Sequence, residues 1–158
     1  QSEYSLWTRN PEIALLDTCK ELGVSLVAFS PLARKFLTGR FTSLSDYDPF
    51  DLRQKMPRFL PGAFEKNSAL LGPLQALATE AGCSMAQLAL AWVLAQGEHI
   101  FPIPGTTRLE HLEEDMSASG LLIDPDILQR ASRLIHQGSV CGQRYDPVAQ
   151  ASVDTEDF

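Results

Sequence analysis

The stretch "PIPGTTRLEHLEED", residues 102–115, passes from a short apolar run through Pro-Gly to an apparent helix start. Gly105 has no side chain, so the backbone there can approach a ligand closely. Thr107 and Glu110 stand at the T-x-x-E spacing of a capping box, which predicts a helix from 108 onward. The amides of Gly105, Thr106 and Thr107, with the positive end of the helix dipole, would then form an anion site. Arg108 falls in the first turn, where a cation gains nothing from the helix. A bound anion would offset that placement. The bland alternative is that Thr107 only caps and Arg108 is a solvated surface residue.

A second stretch, "SLVAFSPLARKFLTGR" at 25–40, raises the same question. The run 24–29 is almost unbroken in apolar residues, as in a strand buried on both faces of a parallel sheet. Ser30-Pro31 closes it, Arg34 and Lys35 sit together in the following loop, and Thr38-Gly39 comes next. Phe29 at the strand end either stacks on a flat ring or packs into the core. Strand-end anion sites on consecutive strands match the (β/α)₈ barrel, where phosphate sits on the loops after strands seven and eight. The amides at 105–107 are therefore expected to hold a phosphate.

Around these stretches the pattern is α/β. "EYSL" at 3–6 alternates like a short strand. "NPEIALLDTCKELG" reads as a helix with Asn10 as N-cap, Pro11 and Glu12 in its first turn, Gly23 past its end, and a stripe of Ile13, Leu16, Cys19 and Leu22. Residues 41–67 read as a long irregular loop with room for a helical turn, functional or mobile. A helix is expected at 68–82, with Pro73 marking its start or a kink. Ser84 and Gln87 form a capping box for the next helix, which Gly97 ends. A strand at 98–103, a helix at 108–118 and a helix from Asp124-Pro125 to about His136 follow. The tail shows no usable periodicity. This alternation predicts about three parallel strands plus helices. Such a sheet leaves edges unpaired, and the chain opens inside a strand without a methionine. Residues 1–158 are therefore expected to be the C-terminal part of one barrel domain, with the missing portion upstream.

The bulk numbers bound the function. With 158 residues and 44% hydrophobic content, one domain with a real core is expected. A net charge of −7 and a pI near 4.9 argue against a nucleic-acid surface, while one or two local cations suffice for a small phosphorylated ligand. Cys19, Cys83 and Cys141 lack CxxC spacing and read as free thiols of a reducing, cytoplasmic setting. No signal peptide is visible, and the apolar-rich stretch 85–97 is too short to span a bilayer. "DYDPFD" at 46–51 lacks the glycine and terminal Glu of a calcium loop. His99 and His136 read as strand-start and helix-end residues, so no metal site is expected.

In order and spacing, these segments resemble the C-terminal half of an aldo/keto reductase. "QSEYSLWTR" looks like the family's sixth strand, "FSPLARKFLTGR" like its seventh strand and cofactor loop, and "AQLALAWVL" like its seventh helix. "PIPGTTRLEHLEED" looks like the eighth strand and dinucleotide-binding helix, and "GQRY" like a common C-terminal ending. The resemblance implies NADP(H) in an extended pose. Gln1 would bond the nicotinamide carboxamide and Phe29 would stack on its ring. Ser30, Pro31, Leu32 and the Ala33–Lys35 backbone would wrap the pyrophosphate. Gly105, Thr106, Thr107 and Arg108 would bind the adenosine 2′-phosphate, and His111, Glu114 and Asp115 the adenosine end. Gly39 and Pro104 belong to the same cofactor set. Many members read Gly-Arg-Gly where this chain has Ala33-Arg34-Lys35. Position 111 is often Gln or Arg, and position 115 is often Asn.

The family's catalytic Asp, Tyr, Lys and His lie on earlier strands, so no catalytic residue is assigned here. The implied function is NADP(H)-dependent reduction of aldehydes or ketones by hydride transfer, with a small carbonyl compound and the missing half of the barrel as partners. Standing alone, the chain would cover its open edges by association with itself. The alternatives are a non-catalytic NADP(H)-binding regulatory module and another phosphate-binding barrel enzyme.

Overall fold

The structure, a computed structural model, describes residues 1–41 and 48–153. Three parallel strands form one sheet in the order β1 (Ser2–Glu3), β2 (Leu26–Phe29), β3 (Ile100–Ile103). Their register sets Glu3 opposite Phe29 and Phe29 opposite Ile103, so all three strands end at the same level. The loops that leave β2 and β3 therefore emerge side by side.

Of the helices α3 (Leu71–Glu80), α4 (Met85–Leu94), α5 (Leu109–Ser117) and α6 (Pro125–Leu134), α4 packs directly on β3, and the other three pack against α4. Leu88, Ala89, Trp92 and Val93 of α4 are fully enclosed. Each large apolar side chain so buried contributes about 1.5–3 kcal/mol. The Ser84 capping box is formed: Ser84 Oγ accepts from Gln87 N at 3.2 Å and Gln87 Oε1 accepts from Ser84 N at 2.9 Å. Trp92 Nε1 donates to Ser132 Oγ of α6 at 2.8 Å, which satisfies the indole inside the core. Asp124 caps α6 by accepting from Asp126 N at 2.9 Å, as its position before Pro125 predicts. Pro73 lies in the first turn of α3 and marks its start rather than a kink.

Several expectations are corrected. Leu26 and Ala28 of β2 are buried, but Val27 and Phe29 are half-buried, because the chain's own helices cover one face of the sheet. The strand expected at 3–6 stops at Glu3. Tyr4, Ser5 and Leu6 are all buried, and the chain turns back through a Ser5–Thr8 bridge. Asn10 caps no α-helix. Residues Asn10–Glu12 form a 3₁₀ turn and α1 begins only at Leu15–Glu21, because Arg9 and the Tyr4 hydroxyl both claim the Glu12 carboxylate. The α1 stripe is narrower than expected: Cys19 is buried while Leu22 is 69% exposed.

The largest correction lies in residues 41–67, of which 42–47 fall outside the described residues. The remainder is not an irregular loop. It contains 3₁₀ turns at Leu52–Lys55 and Pro57–Phe59 and helix α2 at Ala63–Ser68. Phe41, Met56 and Phe59 are buried, and Trp7, Phe36, Phe41, Phe59 and Phe64 form a linked aromatic cluster with centroids 3.9–6.3 Å apart. Short 3₁₀ turns bury isolated side chains without a helical or strand period, so no periodicity announces them. Within "DYDPFD", Asp46 and Tyr47 lie outside the described residues, while Asp48 and Asp51 accept from the amides of Phe50 and Arg53 and act as turn formers.

The tail after α6, aperiodic in sequence, is held by side chains. The amide of Asn67 donates to the carbonyls of Arg58 and Cys141 and accepts from Cys141 N, and α7 follows at Pro147–Gln150. No single helix among the described residues is long and apolar enough to cross a membrane.

Candidate functional site

The two stretches that raised the anion question meet in one cleft of about 780 Å³ at the C-terminal ends of β2 and β3. Ser30, Pro31, Leu32 and Lys35 line its β2 side. Pro104, Gly105, Thr106, Thr107 and Arg108 line its β3 side, and His111, Glu114 and Asp115 come from α5. Four expected residues stand outside this lining. Gln1 is exposed just before β1, and Phe29 is half-buried with the Arg144 guanidinium 5.7 Å from its ring. Ala33, within the loop, is buried. Gly39 sits at φ +68°, where a Cβ would also meet Met85 Sδ at 3.0 Å.

The helix start differs from the capping-box expectation. Arg108, not Thr107, occupies the N-cap position, and its side chain accepts no capping bond. Thr106 Oγ1 instead accepts from Arg108 N at 3.1 Å. This small hydroxyl turn displaces the helix start by one residue, because Thr106 reaches the amide two positions on without Thr107. The Arg108 side chain is 65% exposed, 3.5 Å from the Glu110 carboxylate. An exposed pair at that distance contributes little, so the guanidinium is only loosely engaged.

Gly105 is required neither by backbone nor by packing. Its φ is not positive, and a Cβ there would meet no protein atom within 4 Å. Among the described residues the amides of Gly105, Thr106 and Thr107 donate no hydrogen bond. Three amides available at the mouth of a helix, one of them from a glycine the protein itself does not need, suit a closely approaching anion.

Arg34, expected only through its backbone, lines the cleft as well, and sequence reasoning missed Thr38, Arg40, Ala86 and Ile103, which also line it. Arg40 ends the quoted "LTGR" and pairs with Glu114 of α5 at 3.0 Å, so a charge at the end of that motif was the available signal. Burial pushes the Asp115 carboxyl upward; Glu114 adds to this, and His111 and Arg40 oppose it. In a chain of net charge −7 the cleft still collects Arg34, Lys35, Arg40 and Arg108. Among its described lining residues are no tyrosine and one histidine, His111.

Next to the cleft lies a buried ionic cluster that the sequence did not announce. Glu3, at the end of β1, receives Arg34 Nη1 at 3.2 Å, Arg144 Nε at 2.9 Å and Thr8 Oγ1 at 3.0 Å. Arg58 donates to Thr8 Oγ1 and the Trp7 carbonyl, and burial pulls its pKa down to about 10, with Glu3 opposing.

A parallel sheet whose strand ends open into a cationic, glycine-bearing cleft is the ligand end of a (β/α) barrel. The chain belongs to the Aldo/keto reductase family, whose profile matches residues 1–135. It is 36% identical over 152 residues to the aldo-keto reductase yakc [NADP(+)] of Schizosaccharomyces pombe, covering 96% of this chain and 45% of that protein. It is 34% identical over 161 residues to the aldo-keto reductase str7 of Strobilurus tenacellus, covering 100% of this chain and 48% of that protein. Among solved structures, the glycerol dehydrogenase of Gluconobacter oxydans superposes with a TM-score of 0.78 at 23% identity, over 92% of this chain and 43% of that one. An aldo-keto reductase of Klebsiella pneumoniae in complex with NADPH gives 0.60 at 24% identity, over 92% and 42%. The fold is thus part of a TIM barrel, and the chain spans about half the length of the curated relatives it matches.

Proposed function

We propose that this chain is the cofactor-binding part of an NADP(H)-dependent oxidoreductase that reduces aldehydes or ketones to alcohols. The observation that carries this reading is the meeting of the two strand-end loops in one cleft, with Gly105 free of any packing demand and three undonated amides at 105–107. These residues fit a dinucleotide, which supplies a hydride to a carbonyl carbon when bound. Gly105, Thr106 and Thr107 hold the 2′-phosphate through their amides, and Arg108 adds the charge. His111, Glu114 and Asp115 border the adenosine end. Ser30, Pro31, Leu32 and the Ala33–Lys35 backbone receive the pyrophosphate, Gly39 gives that loop its exit turn, and Pro104 stiffens the approach to Gly105. Phe29 and Gln1 serve the nicotinamide end.

No catalytic residue is assigned among these residues. The proton for the carbonyl oxygen comes, in this reading, from the portion of the fold that the chain does not span. Residues 1–158 are then the C-terminal part of one barrel domain, whose open strand edges are covered by that portion or by a second copy. The three free thiols suit a cytoplasmic setting.

The test is fluorescence titration of the protein with NADPH, NADH and 2′,5′-ADP. Binding of NADPH and 2′,5′-ADP, with weaker NADH, is the expected result; no nucleotide binding sinks the reading. The same cleft also fits a second reading, a non-catalytic NADP(H)-binding module. NADPH oxidation with a panel of aldehydes separates the two.

A further inference from the structure

Four non-glycine residues in the loop after β2 have left-handed backbone: Ser30, Ala33, Arg34 and Lys35, with φ of 50°, 50°, 53° and 79°. L-residues disfavour this region, and such backbone persists only where its surroundings over-determine it. Part of the constraint is local. Ala33 N donates to Ser30 O, Phe36 N to Ala33 O and Leu37 N to Leu32 O.

The rest comes from far along the chain. The Arg34 guanidinium reaches Glu3 Oε2 at 3.2 Å and lies 5.7 Å from the Tyr145 ring centroid. The Arg34 carbonyl accepts from Arg53 Nη1 at 3.1 Å. Glu3 is itself tied down: it is 3% exposed, sits at the end of β1, and takes Arg144 of the tail on the same oxygen at 2.9 Å. One buried carboxylate thus joins the sheet, the loop and the tail. Arg34 and Lys35 line the cleft while Arg34's charge is spent on Glu3 rather than on the cleft.

We propose that Glu3 and Arg34 are positioning residues for the cofactor loop: their ion pair, backed by Arg144, holds the left-handed 33–35 backbone against the cleft so that it can receive a pyrophosphate. Glycine would adopt this backbone unaided. Ala33-Arg34-Lys35 does not, and the tether supplies what glycine would have. The inference rests on the dinucleotide reading above.

The experiment compares wild type with Arg34→Ala, Arg34→Lys and Glu3→Gln by nucleotide titration and by amide hydrogen exchange. In Arg34→Ala, NADPH affinity should fall about tenfold. Affinity for 2′,5′-ADP, held at 105–108, should stay within about twofold. Exchange at Phe36 and Leu37 should accelerate while α4 amides keep their protection. Arg34→Lys should recover part of both effects, and Glu3→Gln, if it folds, should move them in the same direction. Unchanged exchange at Phe36 and Leu37, or an equal loss of both nucleotides, overturns the proposal. A wild type that binds both nucleotides and an Arg34→Ala variant that binds them equally well sinks this inference alone. A wild type that binds neither sinks the dinucleotide reading, and the loop's role with it.

Discussion

Arg40 Nη1 lies 3.0 Å from Glu114 Oε2, which ties the loop after β2 to α5 beside the cleft. The pair neutralises a carboxylate that otherwise faces the proposed adenosine end next to Asp115. Exposed pairs are worth about 0.2–1 kcal/mol, so Arg40→Ala should weaken NADPH by about two- to fivefold. Glu114→Gln in the Arg40→Ala background should recover most of that loss. A double-mutant cycle read by titration checks it, and strictly additive losses would show that the pair does not act on the ligand.

Arg108 is exposed and only loosely engaged by Glu110. A charge-assisted contact with phosphate contributes about 1.5–3 kcal/mol. Arg108→Ala should therefore weaken NADPH about tenfold or more and leave NADH nearly unchanged. Equal losses for both cofactors would remove Arg108 from the 2′-phosphate site.

Asp115 can accept but, when ionised, cannot donate as an amide would. Burial raises its pKa above the ordinary 3.8, so the protonated, donating form grows as pH falls toward that raised value. Wild-type affinity for NADPH should accordingly strengthen on acidification. Asp115→Asn should bind more tightly near neutrality with a flatter pH profile. Parallel profiles for the two proteins would place Asp115 outside the adenosine contact.

Tyr4 donates to Glu12 Oε1 at 2.8 Å from a fully buried position. Burial, then the Glu12 charge and hydrogen bond, push its pKa well above 10.0. With the folded pKa raised, the Tyr4 contribution is fully present below the unfolded value near 10 and is lost as pH rises beyond it, because the unfolded chain ionises first. Tyr4→Phe should cost about 1 kcal/mol near neutrality and show a shallower alkaline loss. Urea unfolding between neutrality and alkaline pH measures both, and identical slopes would contradict the assignment.

Asn67 is fully buried and bonds Arg58 O, Cys141 O and Cys141 N at 2.8–3.0 Å. Asn67→Ala strands three backbone groups and should destabilise the protein by about 2–3 kcal/mol. Proteolysis should then begin in the tail after residue 140. Unchanged tail protection would show that Arg144 and Glu3 alone anchor it.

Regular elements were legible where one signal repeats or where a side chain acts on its own neighbours. The Ser84 and Asp124 caps are local events between residues two or three apart, and both are formed. The expected Thr107 cap failed for the same local reason, since Thr106 competes for the Arg108 amide and wins it. The aromatic cluster of Phe41, Phe59 and Phe64 was unreadable because its members come from an unstructured connection, a 3₁₀ turn and the short helix α2, with no shared period to detect.

By itself the sequence determined the parallel α/β class, the three strands and, through its quoted motifs, the family. Those signals are local, since alternation, glycine placement and charge lie within a few residues of one another. Only the tertiary structure decided that both loops share one cleft, because strand register is a relation between residues about 75 positions apart, as in Leu26 opposite Ile100. It alone brought Arg40 to Glu114, and Arg34 and Arg144 to Glu3. Charges so far apart in the chain meet only when packing sets their elements side by side, which no local pattern records.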